Sequence, residues 1–121
     1  MAWFQGTDDD IRTYAGVHDG QGCIQISRLF RDTVTLPIHV QIWQLEPGSS
    51  EGDHTHPTDD PDDNYEELYM VLSGSGTITI DGDRRPIVAD DAVLVPTGVD
   101  HGVYADRGET LRFLLIFGKR S

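Results

Sequence analysis

The sequence predicts a nearly all-β domain of the sandwich or barrel type, on three observations. Apolar residues fall in short runs that alternate with polar ones; Gly, Pro, Asn or Asp close these runs at intervals of about ten residues; and no helix-period stretch of ordinary length separates them. Residues 23–30 open the pattern, with Ile24, Ile26 and Arg28 on one side and Cys23, Gln25 and Ser27 on the other. Pro37 introduces a second run in which Ile38, Val40 and Ile42 alternate with His39, Gln41 and Trp43, and Glu46-Pro47-Gly48 closes it. Residues 67–73 and 77–81 read as the next pair, joined by Gly74-Ser75-Gly76 as a short glycine hairpin. Asp81-Gly82-Asp83 is another turn, after which residues 86–89, 92–95, 101–104 and 111–117 continue the series. Ahead of the first run, residues 7–14 could hold one short helical turn with Thr7 as N-cap. Residues 57–64 form a proline-punctuated acidic loop that cannot be a central strand.

With 121 residues, the chain has the size of one domain. It divides into an N-terminal extension with the first strand (residues 1–22), a barrel (residues 23–117) and a loop insertion (residues 57–64). Twenty-one acidic against nine basic residues give a net charge of −12, which a nucleic acid or an anionic membrane would repel, so neither is an expected partner. No apolar run approaches the roughly eighteen residues that cross a bilayer. The start carries Asp8-Asp9-Asp10 in place of a basic and apolar leader, and a cytoplasmic location is expected. The single cysteine, Cys23, has no internal disulfide partner and is expected to be a small buried hydrophobe in a reducing compartment.

Of the five histidines, His54 and His56 have geometry attached. In a strand, positions i and i+2 face the same way, so both imidazoles project into one space, and Glu67 and His101 come from later strands that could border the same interior. Three imidazoles and one carboxylate suit a divalent Fe, Mn, Ni, Co, Cu or Zn ion better than Ca or Mg, and ligand type alone does not choose among the former. His18, in a Gly- and Asp-rich turn, and His39, on a strand away from the pair, read as surface residues or as partners of a ligand. Tyr69, Val71, Val103 and one face of residues 38–45 line the barrel by parity with Glu67 and His101, while Glu66 points outward. An inward Tyr or Gln could orient a substrate or a ligand, and packing explains these residues equally well. Glu51 and Asp53 near the mouth, like the acidic loop, read either as solvated or as part of a lid.

These residues resemble the two motifs of the cupin superfamily. The first is Gly48, five residues, His54, one residue, His56, then Glu67, six residues and Gly74; the second is Pro96, one residue, Gly98, two residues and His101. The resemblance covers residues 48–105 closely and the flanking strands loosely. It implies a jelly-roll barrel, or double-stranded β-helix, with a metal held by His54, His56, Glu67 and His101. Three departures stand out: ten residues separate His56 from Glu67 where the family carries about three or four, Asp90 replaces the Gly that opens the second motif, and Ala105 replaces the Asn that commonly closes it. None removes a ligand.

A three-His, one-Glu ion in octahedral coordination keeps two positions for water, dioxygen or a small organic ligand. The resemblance therefore implies a metal-dependent enzyme acting on a small molecule, of the dioxygenase, isomerase or lyase type. The alternative is a barrel that binds a metal or small ligand without turnover. No G-x-S-x-G elbow, P-loop or dinucleotide fingerprint competes with this reading. A homodimer is expected, with Trp3-Phe4 and the strand at residues 23–30 available to a second copy.

Overall fold

The computed structural model describes residues 3–6 and 10–119. Ten strands follow one another: β1 (Ile11–Ala15), β2 (Cys23–Leu29), β3 (His39–Leu45), β4 (Ser50–His54), β5 (Tyr65–Ser73), β6 (Ser75–Ile80), β7 (Asp83–Val88), β8 (Ala92–Val95), β9 (His101–Ala105) and β10 (Leu111–Lys119). They form a six-stranded sheet in the order β1-β2-β3-β10-β5-β8 and a four-stranded sheet in the order β4-β9-β6-β7. Every pairing is antiparallel. This is the double-sheet all-β barrel that the alternating runs predict.

The alternation explains what is buried. Ile24 and Ile26 on β2, Trp43 and Leu45 on β3, Tyr69 and Val71 on β5, and Leu111, Phe113 and Leu115 on β10 enter one core with Ile78 and Val103 of the other sheet. The opposite parity covers the outer face of the six-stranded sheet with apolar side chains too. Leu29, Val40, Ile116, Leu68 and Leu94 stand side by side across five strands. Pro86 lies on β7, an edge strand, where its missing N–H costs no ladder bond.

Several expectations are corrected. Gly74-Ser75-Gly76 is no hairpin: β5 pairs with β10 and β8, β6 pairs with β7 and β9, and Gly74 (φ +83°) is the corner at which the chain leaves one sheet for the other. The helical turn that residues 7–14 could have held is absent from its described part, since residues 11–14 belong to β1; residues 7–9 lie outside the described residues. Pairing with β2 overrides the weak local cap signal. Because β1 and β3 flank it, β2 offers no free edge to a second copy. Trp3 and Phe4 are exposed, and Cys23 is half-buried rather than buried. Among the described residues, no helix is long and apolar enough to cross a membrane.

Candidate metal centre

The pairing of β4 with β9 sets His54 opposite His101. His56 lies just past β4, where its carbonyl accepts a hydrogen bond from the Gly98 N–H at 2.7 Å. Glu67 reaches the same point from β5 in the facing sheet, so the group bridges the two halves of the barrel. Ligand atoms of His54, His56, Glu67 and His101 all lie within 4.8 Å of one another.

Each of the three imidazoles has its Nδ1 turned to an acceptor. His54 Nδ1 faces the Gly52 carbonyl at 3.0 Å, His56 Nδ1 faces Asp63 Oδ1 at 2.8 Å, and His101 Nδ1 faces the Val99 carbonyl at 2.9 Å. These partners accept the Nδ1–H and turn every Nε2 inward; in this structure the Nε2 atoms of His56 and His101 point at Glu67. Glu67 is oriented likewise: Tyr69 donates its hydroxyl proton to Oε2 at 3.0 Å, while Oε1 meets the Nε2 atoms of His56 and His101. This is a donor set prepared from behind, and its nitrogen and carboxylate chemistry fits a first-row divalent ion.

The electrostatics agree with a cation-seeking site. Burial alone would raise the Glu67 carboxyl, but hydrogen bonds from His101 and His56 hold it well below the usual carboxylate range. Burial lowers His56, yet Glu67 and Asp63 overcome it and hold the imidazole up to about 9. For His54 the nearest carboxylate oxygen, Glu51 Oε2, is 3.8 Å away, beyond hydrogen-bond distance, and burial brings the imidazole down to about 4, neutral at physiological pH.

The acidic loop contributes through Asp63, the carboxylate that orients His56. Asp63→Ala is expected to weaken metal affinity about 10- to 100-fold, read by competition with a chelator. An unchanged affinity would show that Asp63 does not position the ligand.

Beside the four residues the structure places two more: Glu51, read from the sequence as a solvated or lid residue at the mouth, and His18, read as a surface residue or a partner of a ligand. Glu51 is 2% exposed, its Oε1 has no hydrogen-bond partner among the described residues, and its Oε2 lies 3.8 Å from His54 Nε2 and 3.9 Å from His18 Nε2. Burial, and then the charge of Glu67, push its carboxyl well above the usual range. His18 stacks on His54 with ring centroids 3.7 Å apart. Parity conceals Glu51, because a register shift between Glu51 and His54 lets residues three apart face the same interior. His39 stacks instead on Phe117, outside the ligand group.

A cavity of about 300 Å³ opens from the centre, its wall including Glu51, His54, His56 and Glu67. Tyr69, Val71 and Val103 point into the barrel but pack in the core, and are not among the residues of the cavity wall. Of residues 38–45, Gln41 and Trp43 do line it. Asp53 accepts hydrogen bonds from Thr79 at 2.6 Å and Tyr104 at 2.8 Å, outside that wall.

Residues 41–117 match the family model for a cupin domain. The dimethylsulfoniopropionate lyase DddW of Ruegeria pomeroyi is 42% identical over 55 residues, which span 46% of this chain and only 36% of that protein. An uncharacterised protein of Streptomyces coelicolor is 30% identical over 78 residues, or 64% of this chain and 67% of that protein. Among solved structures, a Thermotoga maritima protein described as a predicted oxalate decarboxylase superposes with a TM-score of 0.83 at 22% identity, covering 97% of this chain and 100% of that one. That last likeness bears on the fold alone.

Proposed function

The chain belongs to the cupin domain family, and from that premise we propose that it is a metal-dependent enzyme acting on a small molecule, with lyase chemistry the first class to test. One observation carries the reading: three imidazole Nε2 atoms and a carboxylate, each fixed from behind, converge at the edge of a cavity large enough for a small metabolite. His54, His56, Glu67 and His101 would hold the ion. When bound, it supplies a Lewis acid that polarises a substrate oxygen and stabilises negative charge developing there.

The remaining work falls to the chain itself. Glu67 stays a ligand: Tyr69 holds its Oε2, and its Oε1 faces the point on which the Nε2 atoms of His56 and His101 converge. Glu51 Oε1, buried and unpartnered, is the atom best placed to exchange a proton with a substrate in the cavity. Ile26, Trp43, Leu115 and Phe117 make much of the wall apolar, which excludes water and strengthens each polar contact made within it. The lyase preference rests on the stretch shared with DddW.

The test is turnover by protein reconstituted separately with each first-row ion. Dimethylsulfoniopropionate comes first, with dimethyl sulfide read in the headspace, followed by a panel of small hydroxy and keto acids. Turnover that a chelator abolishes and one metal restores is expected. Stoichiometric metal uptake with no turnover across the panel would favour a non-catalytic binding barrel.

A further inference from the structure

Resting on the reading of a metal-bearing small-molecule site, we propose that its substrate carries a carboxylate, and that Arg28 with Tyr14 and Gln41 anchors it across the cavity from the metal centre.

The sequence pattern marks Arg28 first. On β2 it follows Ile24 and Ile26 on the inward face, where a third apolar residue would continue the core. A cation at an inward strand position breaks the local rule, and such breaks concentrate at functional sites. Arg28 is half-buried and, among the described residues, is the one Arg or Lys in the wall of the cavity that Glu51, His54, His56 and Glu67 also line. Among the described residues no carboxylate pairs with it, whereas Arg12 and Arg31 both pair with Asp10.

Among the described residues, the side chains that touch Arg28 and Gln41 leave donors free and bring no carboxylate to them. Arg28 Nη2 donates to the Tyr14 hydroxyl oxygen at 2.7 Å, so the guanidinium is steered while the Tyr14 proton stays free to be donated. Gln41 is the cross-strand partner of Arg28. Trp43 Nε1–H donates to Gln41 Oε1 at 2.7 Å, which fixes the carboxamide and leaves its NH₂ group unclaimed. A guanidinium, a phenol O–H and an amide NH₂ on one wall form an anion receptor of the kind that takes a planar carboxylate through two parallel hydrogen bonds. A phosphate would bring nearly two charges to a single cation. In a chain of net charge −12, an anionic substrate needs such a local cation to enter. The cavity, about 300 Å³, is at the small end for ligand sites, so the substrate is a small organic acid with a metal-seeking group at its other end.

Cobalt-loaded protein tests this without turnover. A series of ω-mercaptocarboxylates from mercaptoacetate to mercaptohexanoate, each compared with the ω-mercaptoalcohol of equal length, reports metal occupancy through the thiolate-to-cobalt absorption band. At one chain length or more the acid is expected to bind about 10- to 100-fold tighter than its alcohol. Arg28→Gln should take up cobalt normally, which shows that it folds, and should lose that preference; Arg28→Lys should recover part of it. Equal affinities of acid and alcohol at every length, or a preference that survives Arg28→Gln, would overturn the anchor and leave the metal centre standing. Failure of the wild type to take up cobalt would overturn the metal reading, and the anchor with it.

Discussion

The His54→Ala, His56→Ala double variant is expected to lose stoichiometric metal, with affinity down by more than about a hundredfold, because even a residue that only orients a ligand contributes about 10- to 100-fold. The effect extends to stability. His54, His56 and His101 come from one half of the barrel and Glu67 from the other, so an ion among them ties the two sheets together. At a thousand times its dissociation constant, a ligand of the folded state adds about 4 kcal/mol, which for a domain of this size raises the melting temperature on the order of 10–15 °C. The double variant should show none of that rise. Without metal it should also be less stable than the wild type by on the order of 2 kcal/mol, because Glu67 is 4% exposed and loses its His56 partner. Thermal melts with and without added metal read both effects. A metal-induced rise of equal size in wild type and variant would locate the ion elsewhere.

Gly74→Ala is expected to destabilise the fold by about 3–5 kcal/mol, a large share of the stability of a single domain. Gly74 sits at φ +83° on the corner between β5 and β6, and a Cβ there would run into the Thr110 carbonyl group and Leu111 Cα. Those are backbone atoms of the segment entering β10, the strand that pairs with both β3 and β5. Gly82→Ala is the control. Its φ is +80°, yet nothing lies within 4 Å of the added carbon, so it meets only the left-handed penalty of about 1–2 kcal/mol. Urea unfolding midpoints separate the two contributions, and equal losses would show that the close approach at the corner carries no weight.

The clustering of His54, His56, Glu67 and His101 was legible because its signal is local or nearly so. His54-Thr55-His56 and the interval from Glu67 to Gly74 survive an insertion between them, since the residues flanking the loop at 57–64 stay together, with the rings of His56 and Tyr65 5.7 Å apart. Strands with an apolar alternation were legible for the same reason. Those without one were not: Ser50-Glu51-Gly52-Asp53-His54 has no apolar residue, and β4 exists because β9 pairs with it. Residues 11–15 are mostly exposed and take strand form from β2. Gly74-Ser75-Gly76 is compatible with a hairpin and with a corner alike, and only pairings remote in sequence, Ser73 with Arg112 and Gly76 with Ala105, decide between them. Glu51 escaped because the register shift before His54 breaks period-2 counting. His18, read from the sequence as a surface residue or a partner of a ligand, is half-exposed and stacks on His54; which ligand it meets follows from the short 3-10 turn Val17–Asp19, where its backbone is left-handed (φ 50°).

Elemental analysis of untagged protein, purified without added metal and normalised to protein by amino-acid analysis, tests the metal centre most directly. About one iron, manganese, nickel, cobalt, copper or zinc per chain is the result the four-ligand site predicts. No bound metal, even after reconstitution under reducing conditions, would contradict it and leave His54, His56, Glu67 and His101 as a hydrogen-bonded group in a barrel that serves some other end.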